Sequence, residues 1–363
     1  MINVVNNMDN DSLLNKKTKF NNNAIDIGKF IASILVLCIH VSPFSNEKLS
    51  FFVQNILARV AVPFFFICTG YFLFKKIDIY NIENDKSIIF KYVKRIFIMY
   101  VFWSICYMPL VIFNYLKTDK SLKIFFNTFI KAPILTGTAA PLWYLNSLMV
   151  AILIIFLLLK YKVKLKNILK ISCILYFLGV LGQVYYGLIE SIPIINKIYE
   201  YYFKIFSTTR NGVFFGLFYI VIGILFSKNK IHLTVKKSII GVIISFILMN
   251  IEIITTNKLG IDTSHDMSLA MAPTTILIFN ILLNIKLKDS PIYIKLREFS
   301  TLIYLSHFAI NAVFNVLVLH LMHFNEVNTT VRFLIVFPTT LLFSGIYLKL
   351  EKIKIFRWLK MVR

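Results

Sequence analysis

Long apolar stretches separated by short polar segments cover almost the whole chain beyond residue 23. Most of them approach the length of about 20 apolar residues that a helix needs to cross the hydrocarbon core of a bilayer. We therefore predict an all-α integral membrane protein with about ten transmembrane helices. The predicted spans are Ala24–Val41, Phe51–Phe74, Ile96–Leu116, Leu142–Tyr161, Ile168–Ile189, Gly212–Phe226, Ile239–Ile254, Met267–Ile285, Leu302–Leu319 and Val331–Leu348.

Three other segments complete the predicted organisation around a transmembrane domain of residues 24–350. Residues 1–23 form a polar, Asn-rich cytoplasmic tail, and the apolar stretch after them is too long for a cleavable signal peptide. The segment Leu122–Thr136 carries Lys123 and Lys131, which predicts an amphipathic segment that lies at the membrane surface or re-enters it. Residues 351–363 alternate basic with apolar side chains and are predicted to lie on the inner leaflet.

The composition supports a membrane protein, and the distribution of Lys and Arg predicts its orientation in the bilayer. Hydrophobic residues make up 58% of the chain, above the 45–50% or so of soluble proteins, and the net charge is +23. The basic residues lie between the apolar stretches rather than on one solvated face, which argues against nucleic-acid binding and for contact with a lipid bilayer. With the N-terminus inside, 28 of the 40 Lys and Arg residues fall in cytoplasmic segments, which predicts that both termini are cytoplasmic.

The first predicted span contains three ionisable residues, Asp26, Lys29 and His40. Asp26 and Lys29 are three residues apart, and His40 follows Lys29 by about three helical turns, or about 16 Å, so all three share one face. Charged groups in a bilayer usually face a protein interior or a wet cavity. We interpret His40 as a general base and Lys29, held by Asp26, as a cationic site for an anionic donor. The structural alternatives are an interfacial histidine and a self-neutralising Asp–Lys pair.

Polar residues in four later spans are further candidates. Arg59 lies inside the second span, where an arginine is costly and should face the bundle interior. Trp143 opens the fourth span, and Arg210 and Asn211 open the sixth, where free N–H groups could bind an anion or carboxylate. His307 is a second intramembrane imidazole. The alternatives are an aromatic belt residue for Trp143, a solvated helix end for Arg210, and a structural ion pair for Arg59.

Motifs for other chemistries are missing from the sequence. It contains no HExxH, CxxC, GxSxG or glycine-rich phosphate loop, which argues against a zinc protease, a nucleotide-binding ATPase and a serine hydrolase. The four cysteines lie in apolar stretches without ligand-like spacing, and we interpret them as small buried hydrophobic residues. We therefore expect no metal and no tightly bound cofactor. The cysteines are Cys38, Cys68, Cys106 and Cys173.

Five short motifs resemble, in this order, those of the acyltransferase-3 family of integral membrane acyltransferases. They are DxxK followed eleven residues later by His, then RVAVPFFFICTGY, LWYL, RNG and STLIYLSH. The resemblance covers nearly the whole chain from Asn23 to the tenth span. Within the family the chain looks most like the membrane domain of the serine/alanine racemases of vancomycin-resistance clusters, because of AIDIGKFIASILVLCIHVSPF, RVAVPFFF and TRNGVFFG. The soluble racemase domain has no counterpart in this sequence.

The resemblance implies a ten-helix bundle in the bacterial cytoplasmic membrane that moves an acyl group, commonly acetyl from acetyl-CoA, onto a hydroxyl. The acceptor would be an envelope polysaccharide, peptidoglycan or a small hydroxyl compound. His40 fills the family's catalytic histidine position, and Asp26 and Arg59 match two positions of the donor site. Lys29 stands where the family has arginine, which keeps the charge and loses the bidentate fork.

The racemase-type resemblance leaves a second function open. The membrane domain could take up L-serine or anchor a separate racemase, with Arg59 or Arg210 holding the carboxylate of the amino acid. Under the acyltransferase reading, Trp143, Arg210, Asn211 and His307 are the predicted substrate-binding residues. Both readings need a cavity that Lys29 and His40 line together, and we predict a passage between these two side chains.

Overall fold

In the computed structural model, residues 22–262, 264–322 and 327–363 are described. All regular elements in these ranges are helices, as predicted, and the first 21 residues of the predicted N-terminal tail lie outside them. A single helical turn, Tyr186–Ile189, and a 3₁₀ segment, Lys354–Val362, add to the long elements. The long elements are α1 (Asn23–His40), α2 (Glu47–Phe74), α3 (Lys86–Leu116), α4 (residues 122–135), α5 (Trp143–Lys160), α6 (Leu165–Gln183), α7 (Pro193–Ile205), α8 (Gly212–Ser227), α9 (Val235–Lys258), α10 (Met271–Asn284), α11 (Pro291–Asn315) and α12 (Thr329–Leu350).

Eight stretches of helix in the described residues are long and apolar enough to cross a membrane. They coincide with eight of the predicted spans. The two remaining predicted spans correspond to the shorter apolar helices α8 and α10. The all-α, multi-pass membrane architecture is therefore confirmed, and a total of ten crossings stays a prediction.

Several helix boundaries differ from the predicted ones, among them the starts of α3, α10 and α11 and the end of α6. α3 begins at Lys86, ten residues before the predicted span, and α11 begins at Pro291, eleven residues before its span, because both helices continue beyond the apolar stretch into a segment with charged residues. α6 ends at Gln183, and the predicted remainder up to Ile189 forms a separate turn. α10 begins only at Met271, because the residues before it form a loop fixed by side-chain hydrogen bonds.

Contacts between connecting segments fall into two groups, one at each end of the bundle. At one end, Asn23 donates to Asp289 at 2.8 Å, Lys228 to the carbonyl of Ile77 at 2.6 Å, and Arg95 to the carbonyl of Arg363 at 2.7 Å. At the other end, Ser45 donates to Asn328, Lys131 to the carbonyl of Lys204, and Gln183 to Ser264. This segregation is the one expected if consecutive spans alternate in direction. Residues 22–23 and 363 therefore share an end, while the side that is cytoplasmic stays a prediction.

The C-terminal segment is fixed to the bundle by polar contacts. Trp103 of α3 donates to the carbonyl of Val362 at 2.9 Å. Arg363 pairs with Glu351 at 2.5 Å and with Glu298 at 3.0 Å. The predicted basic tail is thus packed against α3 and α11, and its exposed apolar side chains remain available to a membrane surface. These side chains are Ile355, Phe356, Trp358 and Met361.

The cysteines divide into two pairs, which corrects the expectation that all four are buried. Cys38 and Cys68 are buried, whereas Cys106 and Cys173 are exposed on α3 and α6. Both exposed cysteines lie on helix faces among other exposed apolar residues, such as Ile105 and Ile174. Such faces suit lipid contact, so the sequence pattern could not distinguish them from the core.

The centre of the bundle depends on close packing between α2 and α8. A Cβ atom on Gly70 would collide with the carbonyl oxygen of Ile220, and one on Gly223 would collide with the carbonyl oxygen of Ile67. Small residues let membrane helices approach until their backbones touch. Gly70 and Gly223 therefore allow the backbones of α2 and α8 to touch.

We expect Gly70→Val to lower the free energy of unfolding by about 2 kcal/mol or more, because the added atoms meet backbone that cannot rotate away. The measurement is the midpoint of thermal unfolding in detergent. The matched control is Gly345→Ala on α12, where a Cβ would lie 3.7 Å from the ring of Phe299. An unchanged midpoint for Gly70→Val would contradict the close approach of α2 and α8.

Candidate active site

His40 is the last residue of α1 and is held there by its neighbours. Gln54 of α2 donates to the carbonyl of Ile39 at 3.0 Å, and the Val41 amide donates to the carbonyl of Leu37 at 2.9 Å. The imidazole packs against His307, with ring centres 5.3 Å apart, and against the edge of Phe308 at the same distance. α1 therefore ends with a half-buried imidazole fixed between α2 and α11.

α2 changes its winding where it carries Arg59. A π-helical turn over Phe52–Ile56 is followed by a 3₁₀ turn over Leu57–Val60, before regular helix resumes. Such turns shift the direction of the side chains that follow and often occur at functional sites. Arg59 consequently points inward, where one terminal nitrogen donates to Asn55 at 2.8 Å.

Asp266 lies between two arginines from distant parts of the chain. One carboxylate oxygen pairs with Arg59, and the other pairs with Arg210 at 2.6 Å. The guanidinium of Arg210 also lies over the ring of Trp143, 4.6 Å from its centre. Two cations that share one carboxylate leave a net positive charge. The Nε atoms of both arginines are buried and have no hydrogen-bond partner among the described residues.

The loop that carries Asp266 is fixed at both ends by carboxylates. Glu252 of α9 accepts from the amides of Leu269 and Ala270, at 2.8 and 3.0 Å. Asp262 accepts from the amides of Ser264 and His265, at 2.8 and 3.1 Å. Burial raises the pKa of Asp262, but the neighbouring His265 side chain and these hydrogen bonds outweigh burial and hold the pKa below its usual range.

Gln183 joins this loop to the segment that carries Arg210. Its amide nitrogen donates to Ser264 at 3.1 Å, and its oxygen accepts from Thr208 at 2.8 Å. The hydroxyl of Thr208 in turn accepts from the amide of Arg210 at 2.9 Å. The position of Arg210 relative to Asp266 is therefore set by α6, which contains neither residue.

His40, both arginines and Asp266 line a single cavity of about 80 Å³. Trp143 and the Ala140–Leu142 turn form another part of its wall, together with Tyr304, which donates to the carbonyl of Pro141 at 2.7 Å. The cavity thus combines an imidazole, two guanidinium groups and aromatic walls. We call it the imidazole–arginine cavity.

The hydrogen bond of His307 fixes its tautomer. Its Nδ1 lies 2.9 Å from the carbonyl oxygen of Ile303, which can only accept, so Nδ1 carries the hydrogen. In the neutral ring, Nε2 then has a free lone pair. That atom is fully buried and has no hydrogen-bond partner among the described residues. His307 therefore presents an unpaired acceptor next to His40.

Lys29 lies in a different environment, three turns away on α1. Its amine is 3.6 Å from Asp26 and 4.3 Å from the centre of the Phe72 ring. Asp26 is also 3.5 Å from Arg297 of α11. The predicted pairing of Asp26 with Lys29 is present in the structure, and Arg297 is a partner that the sequence did not reveal.

Arg59 was predicted as a donor-binding residue together with Lys29 and Asp26, but the structure does not place it near these two residues. Arg59 lies at the opposite end of α1, beside His40, because its counterion Asp266 is in the loop before α10. The predicted passage between Lys29 and His40 is not open, as the residues between them on α1 show. Val36 lines the imidazole–arginine cavity, but Ala32 and Ser33 are buried. In this conformation, packed protein lies between the two ends of the predicted passage.

Asn211 caps α8. Its side-chain oxygen accepts from the amides of Val213 and Phe214, and its nitrogen donates to the hydroxyl of Tyr202 at 2.6 Å. These contacts occupy its hydrogen-bonding groups, so the geometry gives Asn211 a structural role behind Arg210 rather than direct substrate contact. Of the predicted substrate-binding residues, Trp143 and Arg210 line the imidazole–arginine cavity and His307 adjoins it.

Two residues of this site were not anticipated from the sequence. Asp266 directly precedes the eighth predicted span and was not among the predicted site residues. The sequence could have indicated Asp266, because Arg59 needs a counterion and few acidic residues occur in or near the spans. Nothing in the sequence indicated Tyr304 as a site residue, because tyrosines are common in apolar helices.

The fold and this site together define a class of protein: a multi-pass, all-α membrane protein with a buried imidazole and paired arginines at one end of its first helix. The family model of the acyltransferase-3 family, described as an acyltransferase domain, matches residues 22–349. The chain belongs to this family of membrane enzymes, which transfer acyl groups other than aminoacyl groups.

Curated relatives are similar to the chain over most of its length. Two amino-acid racemases of Enterococcus faecalis are 33% and 30% identical and align with 72% and 78% of the chain. A serine/alanine racemase of Enterococcus gallinarum is 26% identical over 72% of the chain. The alignments cover 36%, 40% and 37% of these relatives, so the chain corresponds to less than half of each. No solved structure matches the chain.

We expect Asp266→Ala to lower the free energy of unfolding by about 3 kcal/mol, because it leaves two largely buried cations side by side. The measurement is thermal or denaturant unfolding in detergent. The control Asp119→Asn changes an exposed carboxylate and should have little effect. The double variant Asp266→Ala/Arg210→Gln should recover part of the loss. Additive effects of the two changes would contradict the bridging role of Asp266.

Proposed function

We propose that the protein is an acyltransferase of the bacterial cytoplasmic membrane that moves an acyl group, acetyl being the expected one, from a cytoplasmic acyl-CoA to a hydroxyl of an envelope acceptor. The observation that carries the proposal is a half-buried imidazole, His40, in one small cavity with Arg59 and Arg210. Acyl transfer to a hydroxyl needs a base for the hydroxyl proton and a cationic group for the oxyanion.

The residues of the imidazole–arginine cavity suit the steps of this reaction. His40 takes the proton of the acceptor hydroxyl while the hydroxyl oxygen attacks the carbonyl carbon of the thioester. The guanidinium groups of Arg59 and Arg210 stabilise the negative charge that develops on the carbonyl oxygen. The C–S bond then breaks, the thiolate of CoA takes the proton from His40, and an ester is released.

Asp266 and His307 support this reaction without reacting themselves. Asp266 keeps both arginines in place and leaves a net positive charge for the oxyanion. The unpaired Nε2 of His307 can accept a hydrogen bond from the acceptor hydroxyl or from His40, and so orient either group. Trp143 stacks on Arg210 and limits its motion.

The Lys29 end of α1 suits the donor. Lys29, Asp26 and Arg297 place two cations around one carboxylate about three turns from His40. An extended pantetheine arm is comparable with the rise of about 16 Å between Lys29 and His40. Because Ala32 and Ser33 are buried, the donor must separate α1 from its neighbours along this path, so donor binding requires a conformational change.

The relatives support a second candidate function. They are named as racemases, and the chain corresponds to less than half of each of them. The chain could therefore act with a separate racemase, either as its anchor or by taking up L-serine, with Arg210 holding the carboxylate. The same cavity would then bind an amino acid rather than a thioester.

For the acyltransferase function, purified protein given acetyl-CoA with a labelled acetyl group should label an envelope polysaccharide or peptidoglycan fragment. His40→Ala should lower this transfer by about 100-fold or more, since it removes the general base. The matched control is His232→Ala at an exposed loop histidine, which should retain transfer. Transfer that survives His40→Ala would show that the proposed mechanism is wrong.

The two candidate functions differ in what they require of acetyl-CoA. Uptake of labelled L-serine into proteoliposomes, unaffected by acetyl-CoA and reduced by Arg210→Gln, would favour the racemase-associated function. Serine uptake should be absent if the protein is an acyltransferase only.

Substitutions of Lys29 test the donor end. Lys29→Arg should keep or raise the affinity for acetyl-CoA, because a guanidinium can form two hydrogen bonds with a phosphate where an ammonium acts as a point charge. Lys29→Gln should weaken binding by about tenfold or more, since it removes a cation beside a buried site. The measurement is binding of acetyl-CoA to protein in detergent. Equal affinity of the wild type, Lys29→Arg and Lys29→Gln for acetyl-CoA would show that Lys29 does not bind the donor.

A further inference from the structure

A polar stripe runs along α11 from His307. Asn311 and Asn315 follow His307 by four and eight residues, so all three side chains lie on one face of the helix. Both asparagines line a second cavity of about 310 Å³ between α11 and α3, which is distinct from the imidazole–arginine cavity. This cavity, which we call the amide cavity, has no role in the mechanism above. Its wall is formed by Leu110, Phe113, Asn114, Lys117, Phe308, Asn311, Ala312, Asn315 and Val316.

The asparagines of the amide cavity lack partners for their oxygen atoms. The side-chain oxygens of Asn311 and Asn315 are buried and have no hydrogen-bond partner among the described residues, and Asn311 is only 8% exposed. A buried polar atom without a partner costs about 1–3 kcal/mol, so such atoms usually mark a place where something binds. An amide oxygen only accepts hydrogen bonds, so the missing partner is a donor.

The chemistry of the wall narrows the choice of donor. Among the described wall residues, the one charged group is the amine of Lys117, which lies 4.2 Å from the centre of the Phe113 ring. A hydroxyl group can donate a hydrogen bond to an amide oxygen without bringing a further charge into the wall, so hydroxyl groups suit these amide oxygens. The rings of Phe113 and Phe308 add apolar surface, which can pack against the C–H face of a sugar. A cavity of this volume is at the small end of ligand sites, which are typically about 300–1,000 Å³.

The ring of Phe308 separates the amide cavity from the proposed base. Its edge packs against His40, with ring centres 5.3 Å apart, and the same side chain forms part of the wall of the amide cavity. A ligand in the amide cavity is thus one aromatic side chain away from the imidazole. Rotation of that side chain would bring the two cavities together.

We propose that the amide cavity is the binding site for the acceptor of acyl transfer, that this acceptor presents a single sugar unit, and that Asn311 and Asn315 bind its hydroxyl groups. This assignment rests on the proposed acyltransferase function. α11 corresponds to the ninth predicted span, which runs from inside to outside, so Asn315 lies on the outer side of His307. The sugar enters from that side, and its hydroxyl reaches His40 when Phe308 turns away.

The test uses the full chain in detergent with two probes, N-acetylglucosamine and L-serine. Binding is followed by ligand-observed NMR, which needs no turnover, and transfer of labelled acetyl is followed in parallel. Asn311→Leu is the main variant, because leucine has a similar size and removes the unpaired oxygen, so the protein should fold at least as well. Asn315→Ala is a second variant, and Asn250→Ala on α9 is the matched control.

The expected result is binding of N-acetylglucosamine by the wild type and by Asn250→Ala, weakened about tenfold or more in Asn311→Leu and Asn315→Ala. In the transfer assay, the KM for the sugar should rise by the same factor with an unchanged KM for acetyl-CoA. Loss of sugar binding in these variants supports the assignment, whether or not acetyl is transferred. If the wild type binds the sugar but transfers no acetyl, only the proposed function is wrong. Sugar binding that is indifferent to both asparagines, or binding of L-serine alone, overturns the assignment.

Discussion

The site depends on one carboxylate, Asp266, that holds two arginines inside a membrane bundle. Arg59, Arg210 and Asp266 come from α2, from the segment before α8 and from the loop before α10. An arginine is costly at this depth without a counterion, and a carboxylate would be equally costly without its cations. The three residues therefore stabilise one another, and their mutual position brings α2, α8 and α10 together around the end of α1. Glu252 and Asp262 fix the loop that carries Asp266, and Gln183 joins this loop to the segment that carries Arg210.

The first helix separates two groups of charges, and this separation defines the architecture of the protein. Lys29, Asp26 and Arg297 form one group at the end where residues 22–23 and 363 lie. The imidazole of His40 and the two arginines form the other group, at the opposite end of α1. Buried residues between them keep the two ends apart in this conformation. Under the proposed function, such a barrier would separate a donor on one side of the membrane from an acceptor on the other side and prevent leakage.

The family match and the racemase relatives account for different properties of the chain. The chain matches the acyltransferase-3 family over residues 22–349, while its alignments cover less than half of each racemase. Residues 22–349 include the helices that carry both groups of charges. Family membership accounts for the fold and the catalytic class. Family membership does not fix the acceptor, and in our proposal the acceptor is bound by Asn311 and Asn315, which line a cavity rather than support the fold.

The sequence alone determined the class of fold, because a span needs a long apolar stretch and nothing else can satisfy its backbone in lipid. It also identified His40, Lys29, Arg59, Arg210 and His307, since ionisable residues stand out against an apolar background. Only the tertiary structure decided their grouping. Arg59 was predicted to face the bundle interior, and its place beside His40 is set by Asp266, a partner more than 200 residues away in the sequence. Asn211 proved to be a helix cap, and Asp266 and Tyr304 joined the site, because contacts between helices do not follow from the period of any one helix.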